Sequence, residues 1–366
     1  MKVICDRAGL VEALKLTSAV VVSRTPKPVL TCVKLTASDS ALTLAATDLE
    51  VAIRLTTAKV EIAEPGEVLL PADKLTQIVD TAVEPTVSIE TEEDAAHIRG
   101  ADSHFKIYGF SPADFPPVPE FEDEPDFETG AGQLSQLIHQ TIYATARENS
   151  RYAINGVLIE REGKQLNVVA TDGHRLALAK GTCKVARSDN RAAIIPTKAL
   201  QLLLRLLHDP DGTVKVKIAE NRALISTGDA VLTSNLVEGN FPPFRDVIPK
   251  DSDKKATVST DVMASAVRRA ALLTNEESKG VSLSLDSDGL TLTSRAPEMG
   301  EAQIKVDLVA YEGEPISVGF NPHYILDALK VVPSDQIMLD MKAPNKPGIL
   351  RSGSDFLYVI MPVSLE

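Results

Sequence analysis

Apolar and polar positions alternate along this chain in two rhythms, and the pair of rhythms recurs three times. A 3.6-residue period predicts helices over 7–19, 133–147 and 262–273. Leu10, Ala13, Leu14 and Thr17 share one face of the first, and Leu134, Leu137, Ile138 and Ile142 one face of the second. Asp6 is placed to cap the first helix, and Thr260 or Asp261 the third. A period of two predicts strands over 33–36 and 42–44, 157–159 and 166–169, and 281–285 and 290–292. A second helix follows midway in each third, over 74–82, 197–207 and 322–331, with Pro71, Pro196 and Pro322 at or near the starts. Further strands close each third. The prolines are separated by 125 and 126 residues, and so are Ile107, Leu232 and Tyr358 in three late strand-like runs. Phe115-Pro116-Pro117 returns as Phe241-Pro242-Pro243 after 126 residues.

So long a period means copies of a whole domain, not a short solenoid unit. The 366 residues divide into domains at 1–120, 129–248 and 254–366, each large enough for its own core. The expected fold class is α+β, with two helices per domain packed on antiparallel sheets. Polar, extended joints are expected at 111–128 and 239–253. Three similar domains in a row suggest rotational pseudo-symmetry, of which a ring is the closed form.

Charge adds a second layer. The net charge of −13 argues by itself against a nucleic-acid binder. The predicted helices reverse that sign. They hold nine bases (Arg7, Lys15, Lys74, Arg147, Lys198, Arg205, Arg268, Arg269 and Lys330) against the acids Glu12, Asp80 and Asp327. The helices thus carry +6 and the remainder −19. If all six share one surface, that surface attracts a phosphate backbone while the rest repels it. Alternatively, these bases only solvate outer helix faces, and charge alone leaves both readings open. Cys5, Cys32 and Cys183 form no disulfide framework or CxxC, which suits a reducing compartment and argues against structural zinc. The start Met1-Lys2-Val3-Ile4-Cys5-Asp6 shows no signal peptide, and no apolar run approaches the roughly 20 residues of a membrane span. A cytoplasmic protein is expected.

The densest motif is Ala170-Thr171-Asp172-Gly173-His174-Arg175-Leu176-Ala177. Asp172 and His174 are a candidate acid–base or metal pair, but no nucleophile or second ligand set accompanies them. The structural alternative is a strand end entering an Asp-Gly turn. Its repeat partner, Ala46-Thr47-Asp48-Leu49-Glu50, keeps Thr-Asp and lacks Gly-His-Arg. Thr-Asp therefore reads as structural, and Gly173-His174-Arg175 as special to the middle domain. There is no phosphate-binding or dinucleotide glycine motif and no Gly-x-Ser-x-Gly. The acidic run 120–126 lacks an EF-hand spacing and reads as a solvated linker. The C-terminus stays apolar through Tyr358-Val359-Ile360-Met361-Pro362-Val363, as expected of a docked final strand whose Met361 lines an adaptable groove.

These residues carry a resemblance. Thr171-Asp172-Gly173-His174-Arg175-Leu176-Ala177, Arg151-Tyr152 with Asn155-Gly156, Gly239-Asn240-Phe241-Pro242 and Met361-Pro362 are similar to motifs of the bacterial DNA polymerase III beta subunits, the replicative sliding clamps. Thr47-Asp48-Leu49-Glu50 and Ala113-Asp114-Phe115-Pro116 agree, and the similarity runs the length of the chain. The resemblance implies three clamp domains per chain and a ring formed as a head-to-tail homodimer, with helices lining the hole. It implies no catalysis, no cofactor and no metal. The implied partners are double-stranded DNA, bound topologically and without sequence preference, the polymerase III alpha subunit and the clamp loader. Other polymerases and repair proteins would bind through short linear peptides.

Carried over by position, the peptide groove is expected at Ile154, Thr171, Gly173, His174, Arg175, Leu176, Pro242, Val247, Val359, Met361 and Pro362. DNA contacts are expected at Arg24, Arg151, Tyr152, Lys198, Arg205 and Lys250. The dimer interface is expected to join Lys74, Ile78, Phe105 and Ile107 to Leu272 and Leu273, with Glu298 and Glu301 adding ion pairs at the rim. Asp246, Val363, Ser364 and Glu366 depart from the family pattern and bear on peptide preference. The competing classes are an enzyme built on Asp172 and His174 and a plain scaffold or storage protein.

Overall fold

The computed structural model describes the chain apart from residues 39, 94, 123, 147–153, 186–188, 275–279, 298 and 366. The first helix, α1 (Arg7–Ser18), buries Leu10, Ala13, Leu14 and Thr17, the face its periodicity predicts. The Asp6 carboxylate accepts the Gly9 N–H at 2.8 Å and caps it. α2 (Ala72–Thr81) starts directly after Pro71. α3 (Ala131–His139) stops well short of the predicted residue 147 and is followed by a single 3-10 turn, Ile142–Ala144. The Thr141 hydroxyl donates back to the Leu137 carbonyl at 2.9 Å, so a side chain competes for the acceptors that would continue the helix. α4 (Thr197–Leu206) and the one-turn α5 (Phe244–Val247) follow. α6 (Thr260–Ala270) is not capped by Thr260 or Asp261: Ser259 holds the cap position, and the Thr260 hydroxyl donates to the Ser334 carbonyl at 2.6 Å. α7 (Pro322–Leu329) is capped by Asn321, which accepts the His323 N–H at 3.0 Å. Among the described residues no helix is long and apolar enough to cross a membrane. The three cysteines are buried and form no disulfide, and burial next to Asp6 pushes the Cys5 thiol up to about 12.

Every repeat contributes one set of five strands and one set of four, in the same order. In the first repeat the five are Val60–Glu64, Lys2–Asp6, Thr86–Glu92, Ala95–Arg99 and His104–Tyr108. The four are Val51–Thr57, Ala41–Thr47, Cys32–Ser38 and Gly66–Pro71. The five of the second repeat end on Ala230–Asn235, which pairs antiparallel with Val51–Thr57 and sets Leu232 opposite Ile53. The five of the third end on Phe356–Ile360, which pairs with Arg175–Thr182 and sets Tyr358 opposite Ala177. Two nine-stranded sheets result, and a five-stranded and a four-stranded sheet remain.

The compact units follow these sheets, not the repeats. One comprises 1–133, 183–191 and 198–236, and the other 134–182, 192–197 and 237–366. The middle repeat therefore contributes strands to both. Within the first unit α1 packs on α2, with Lys15 bonded to Asp80 at 2.9 Å. Within the second, α6 packs on α7.

Candidate functional site

The Thr171–Arg175 turn is built by its own side chains. The Thr171 hydroxyl donates to the Arg175 carbonyl at 2.7 Å and accepts the Gly173 N–H at 3.1 Å. Asp172 Oδ1 accepts the His174 and Arg175 N–H groups, both at 3.0 Å. Gly173 sits at φ +89°, which an L side chain resists. The first repeat makes the same turn. Thr47 donates to the Val51 carbonyl at 3.0 Å, Asp48 accepts the Glu50 and Val51 N–H groups at 2.9 and 2.7 Å, and Leu49 takes φ +78°. Thr-Asp is thus a turn device in both places. Asp172 spends its oxygens on the backbone and on Arg175, and the His174 ring stacks on Tyr324 at 6.5 Å, so the two do not form an acid–base pair.

What distinguishes the middle turn is Arg175. Its guanidinium donates to Asp172 Oδ2 at 3.0 Å, Asp327 Oδ2 at 2.7 Å and the Tyr143 carbonyl at 2.8 Å, and lies 4.5 Å from the Tyr324 ring centre. Burial opposes its charge, but Tyr358, Asp327 and Asp172 more than offset that and raise its pKa further. Burial alone would raise the Asp327 carboxyl; bonds from Arg175 and Lys330 overcome that and hold it below the ordinary carboxylate value. Burial likewise pushes the Tyr358 and Tyr143 phenols up, so both stay neutral. This brace ties the turn to α7.

Beside the brace opens an apolar cavity of about 180 Å³, lined by Ile154, Thr171, Gly173, Arg175, Leu176, Pro242, Phe244, Val247, Val359 and Met361. Below it lies a buried cluster that includes Leu158, Val169, Leu178, Ile349 and Leu357. Val247 and Met361 at its rim remain 46% and 38% exposed. Met361 is placed by its N–H, which donates to the His174 carbonyl at 2.9 Å, and Val363 by a 2.9 Å bond to the Gly319 carbonyl.

Nine of the eleven expected groove residues line this cavity. His174 contributes its carbonyl instead, and Pro362 follows Met361 half-buried. Phe244 was missed, although it directly follows the repeated Phe-Pro-Pro triplet. Asp327, Tyr324 and Tyr143 were missed too, because their role depends on contacts distant in sequence.

The other expected sites fall on separate surfaces. Arg24, Lys198, Arg205 and Lys250 are exposed, Lys198 Nζ being bonded to Asp48 Oδ2. Arg151 and Tyr152 lie outside the described residues. Lys74 is exposed and Ile78 half-buried on α2. Phe105, 41% exposed, and Ile107 sit on the edge strand of the five-stranded sheet. In the second unit, Leu272 is exposed and Leu273 half-buried on the 3-10 turn Ala271–Leu273. Glu298 lies outside the described residues, and Glu301 bonds Arg295 at 3.1 Å.

Family models of the DNA polymerase III beta subunit match along the chain: the N-terminal domain at 1–119, the central domain at 130–243 and the C-terminal domain at 245–364. The chain belongs to this family. The beta sliding clamp of Pseudomonas putida is 34% identical over 363 residues, covering 98% of this chain and 99% of the relative. That of Escherichia coli K12 is 32% identical over 369 residues, covering both chains fully. Among solved structures, the polymerase III subunit beta of Pseudomonas aeruginosa superposes with a TM-score of 0.94 at 33% identity, covering 100% of each chain. The sliding clamp of Bacillus subtilis gives 0.95 at 30%, covering 100% of this chain and 99% of the other. The beta-subunit fold of three repeated domains is thus present throughout.

The brace sets a pH dependence. The Asp327 carboxyl is depressed in the fold, so its stabilising effect is complete above the ordinary carboxylate range and is lost as pH falls through the lowered folded value. Asp327→Asn is expected to lower the urea midpoint at pH 7, with the gap to wild type closing towards pH 3. A gap that is constant across this range would contradict the ion pair's contribution.

Proposed function

We propose that two copies of this chain close head to tail into a ring around duplex DNA and hold the polymerase through peptides seated in the Thr171–Met361 cavity. The chain is a non-catalytic processivity clamp of DNA replication. Tethering keeps a polymerase that lets go at high effective concentration, so it rebinds before diffusing away. The partners proposed are the polymerase III alpha subunit, the clamp loader, and other polymerases and repair proteins carrying short apolar peptides. The compartment proposed is the cytoplasm.

The observation that carries the ring is the pairing between repeats. Among the described residues, the strands Ala230–Asn235 and Phe356–Ile360 each close onto the preceding repeat, whereas their counterpart His104–Tyr108 is an edge of its sheet. Among the described residues the counterpart of Val51–Thr57 and Arg175–Thr182, Gly300–Val306, is likewise an edge. All other edge strands are edges in every repeat. Hairpin pairs Ala46↔Ile53, Ala170↔Ala177 and Ser294↔Ala302 align the three repeats. The rows Val3–Ile89–Ile98–Phe105, Phe127–Val216–Ile225–Leu232 and Ala256–Leu339–Leu350–Tyr358 each start four residues before a helix and align the five-stranded sets. Because Ile53 meets Leu232 and Ala177 meets Tyr358, Ala302 should meet Phe105 of a second copy. Lys106 then faces Glu301 and Ile107 faces Gly300, which places both apolar residues of the edge strand against the inner face of the partner's sheet. Exposed Arg24, Arg205 and Lys250, with Lys198, supply sequence-independent phosphate contacts.

Three outcomes test this reading. Protein loaded onto a nicked circle by its loader and ATP should be released when the circle is linearised; retention on linear DNA would mean that direct contact holds it, and failure to load would favour a scaffold. Lys106→Cys combined with Glu301→Cys should give a disulfide-linked dimer on a non-reducing gel, since directly opposed strand residues lie within bonding reach; only monomer would refute the register. Met361→Asp should weaken binding of a polymerase peptide about tenfold or more in a fluorescence titration while leaving the dimer intact, and unchanged affinity would remove the groove assignment.

A further inference from the structure

On the edge of the five-stranded sheet, His97 lies in Ala95–Arg99 and His104 opens His104–Tyr108. His97 is opposite Lys106 and His104 opposite Arg99, so the two imidazoles are diagonal neighbours on one face. His97 Nδ1 is 2.8 Å from His104 Nε2, with ring centres 5.1 Å apart and planes at 26°. The second nitrogen of His97 is 3.2 Å from Glu92 Oε2. Among the described residues no other two imidazoles are hydrogen-bonded to each other. The charges around the pair are directed elsewhere: Arg99 bonds Glu90 at 2.6 Å, Lys2 reaches Glu90 at 3.4 Å, and Lys106 lies over the Tyr108 ring at 5.8 Å. Glu92 is the carboxylate left facing the histidines.

We propose that His97 Nδ1 and His104 Nε2 form a surface site for a late first-row divalent cation such as zinc, with Glu92 orienting His97. Imidazole nitrogens suit zinc, copper(II) and nickel(II), whereas magnesium and calcium take oxygen ligands. Two nitrogens about 2.0–2.1 Å from a tetrahedral ion are roughly 3.3 Å apart. The pair therefore opens by only about half an ångström, within the reach of small side-chain rotations. A metal-bound histidine almost always donates its other N–H to a carboxylate or carbonyl, and Glu92 stands in that position. Among the described residues no three His, Cys, Asp or Glu side chains converge on a common point, so the protein supplies two ligands and water the rest. The ligands come from adjacent strands, so a bound ion ties the edge strand to its neighbour.

The test is a calorimetric titration of chelator-treated, full-length protein with zinc chloride alone. One zinc per chain is expected. His97→Gln and His104→Gln should each weaken binding more than tenfold, and Glu92→Gln, which keeps both ligands, about tenfold. The exposed His208→Gln should leave it unchanged. Copper(II) bound to wild type should show coupling to two nitrogens by electron paramagnetic resonance, and to one in either single variant, a readout that altered folding does not mimic. Absence of saturable binding, or wild-type affinity in either histidine variant, would overturn the site.

Discussion

The rest of this molecule depends on how sheet edges are satisfied. An open edge leaves a row of backbone donors and acceptors that must find a partner or stay in water. Each repeat ends on a strand with an open side, and each begins its four-stranded set with another. Joining the last strand of one repeat to the first of the preceding set, Leu232 to Ile53 and Tyr358 to Ala177, removes two such pairs of edges. It also fuses the repeats more tightly than a linker can, which is why the compact units cut through the middle repeat. The same rule applied a third time, to His104–Tyr108 and Gly300–Val306, is the pairing proposed between two copies.

The turn that frames the groove relies on a different constraint. A buried guanidinium is costly unless its donors are met. Arg175 meets this with Asp172 from its own turn, Asp327 and Tyr324 from α7 and the Tyr143 carbonyl. The corresponding position in the first repeat is Val51, which makes no such demand. There Lys198 of α4 reaches Asp48 directly. Both turns therefore lean on the second helix of the following repeat, once through an arginine held on an aromatic ring and once through a lysine.

The architecture was legible in the chain because the repeat is long and the helices are amphipathic. The face of α1 and its Asp6 cap followed from spacing alone. Helix ends were less so: α3 stops early because Thr141 bonds back to Leu137, and α6 is not capped by the residues that suit that role by type. The groove positions came from motif resemblance, and most fell together because they cluster around one turn and one terminal strand. The brace was invisible, since Asp327 is 152 residues from Arg175 and nothing local marks it. The histidine pair was equally hidden: seven residues apart, His97 and His104 meet only because a hairpin folds them onto one face.

Sheet register also explains why the lining of this cavity at the second junction is apolar. Across the second junction, one row of the sheet runs Leu158, Val169, Leu178 and Leu357, all apolar and buried. Across the first junction the same row runs Lys34, Ala45, Arg54 and Val231. Its cations are already engaged, Lys34 by Glu67 at 2.8 Å and Arg54 by Glu120 at 2.6 Å. In the third repeat the row begins Ser282, Thr293 and Gln303, and the proposed register continues it with His104 of the second copy. The next row makes the same contrast, Leu176 and Val359 in place of Ala52 and Thr233. Desolvating charged or hydroxyl-bearing rows beneath an apolar side chain is unfavourable, whereas covering the leucine row releases water from apolar surface. The two junctions within the chain thus share one backbone pairing, and four differences along this row make the second apolar where the first is charged.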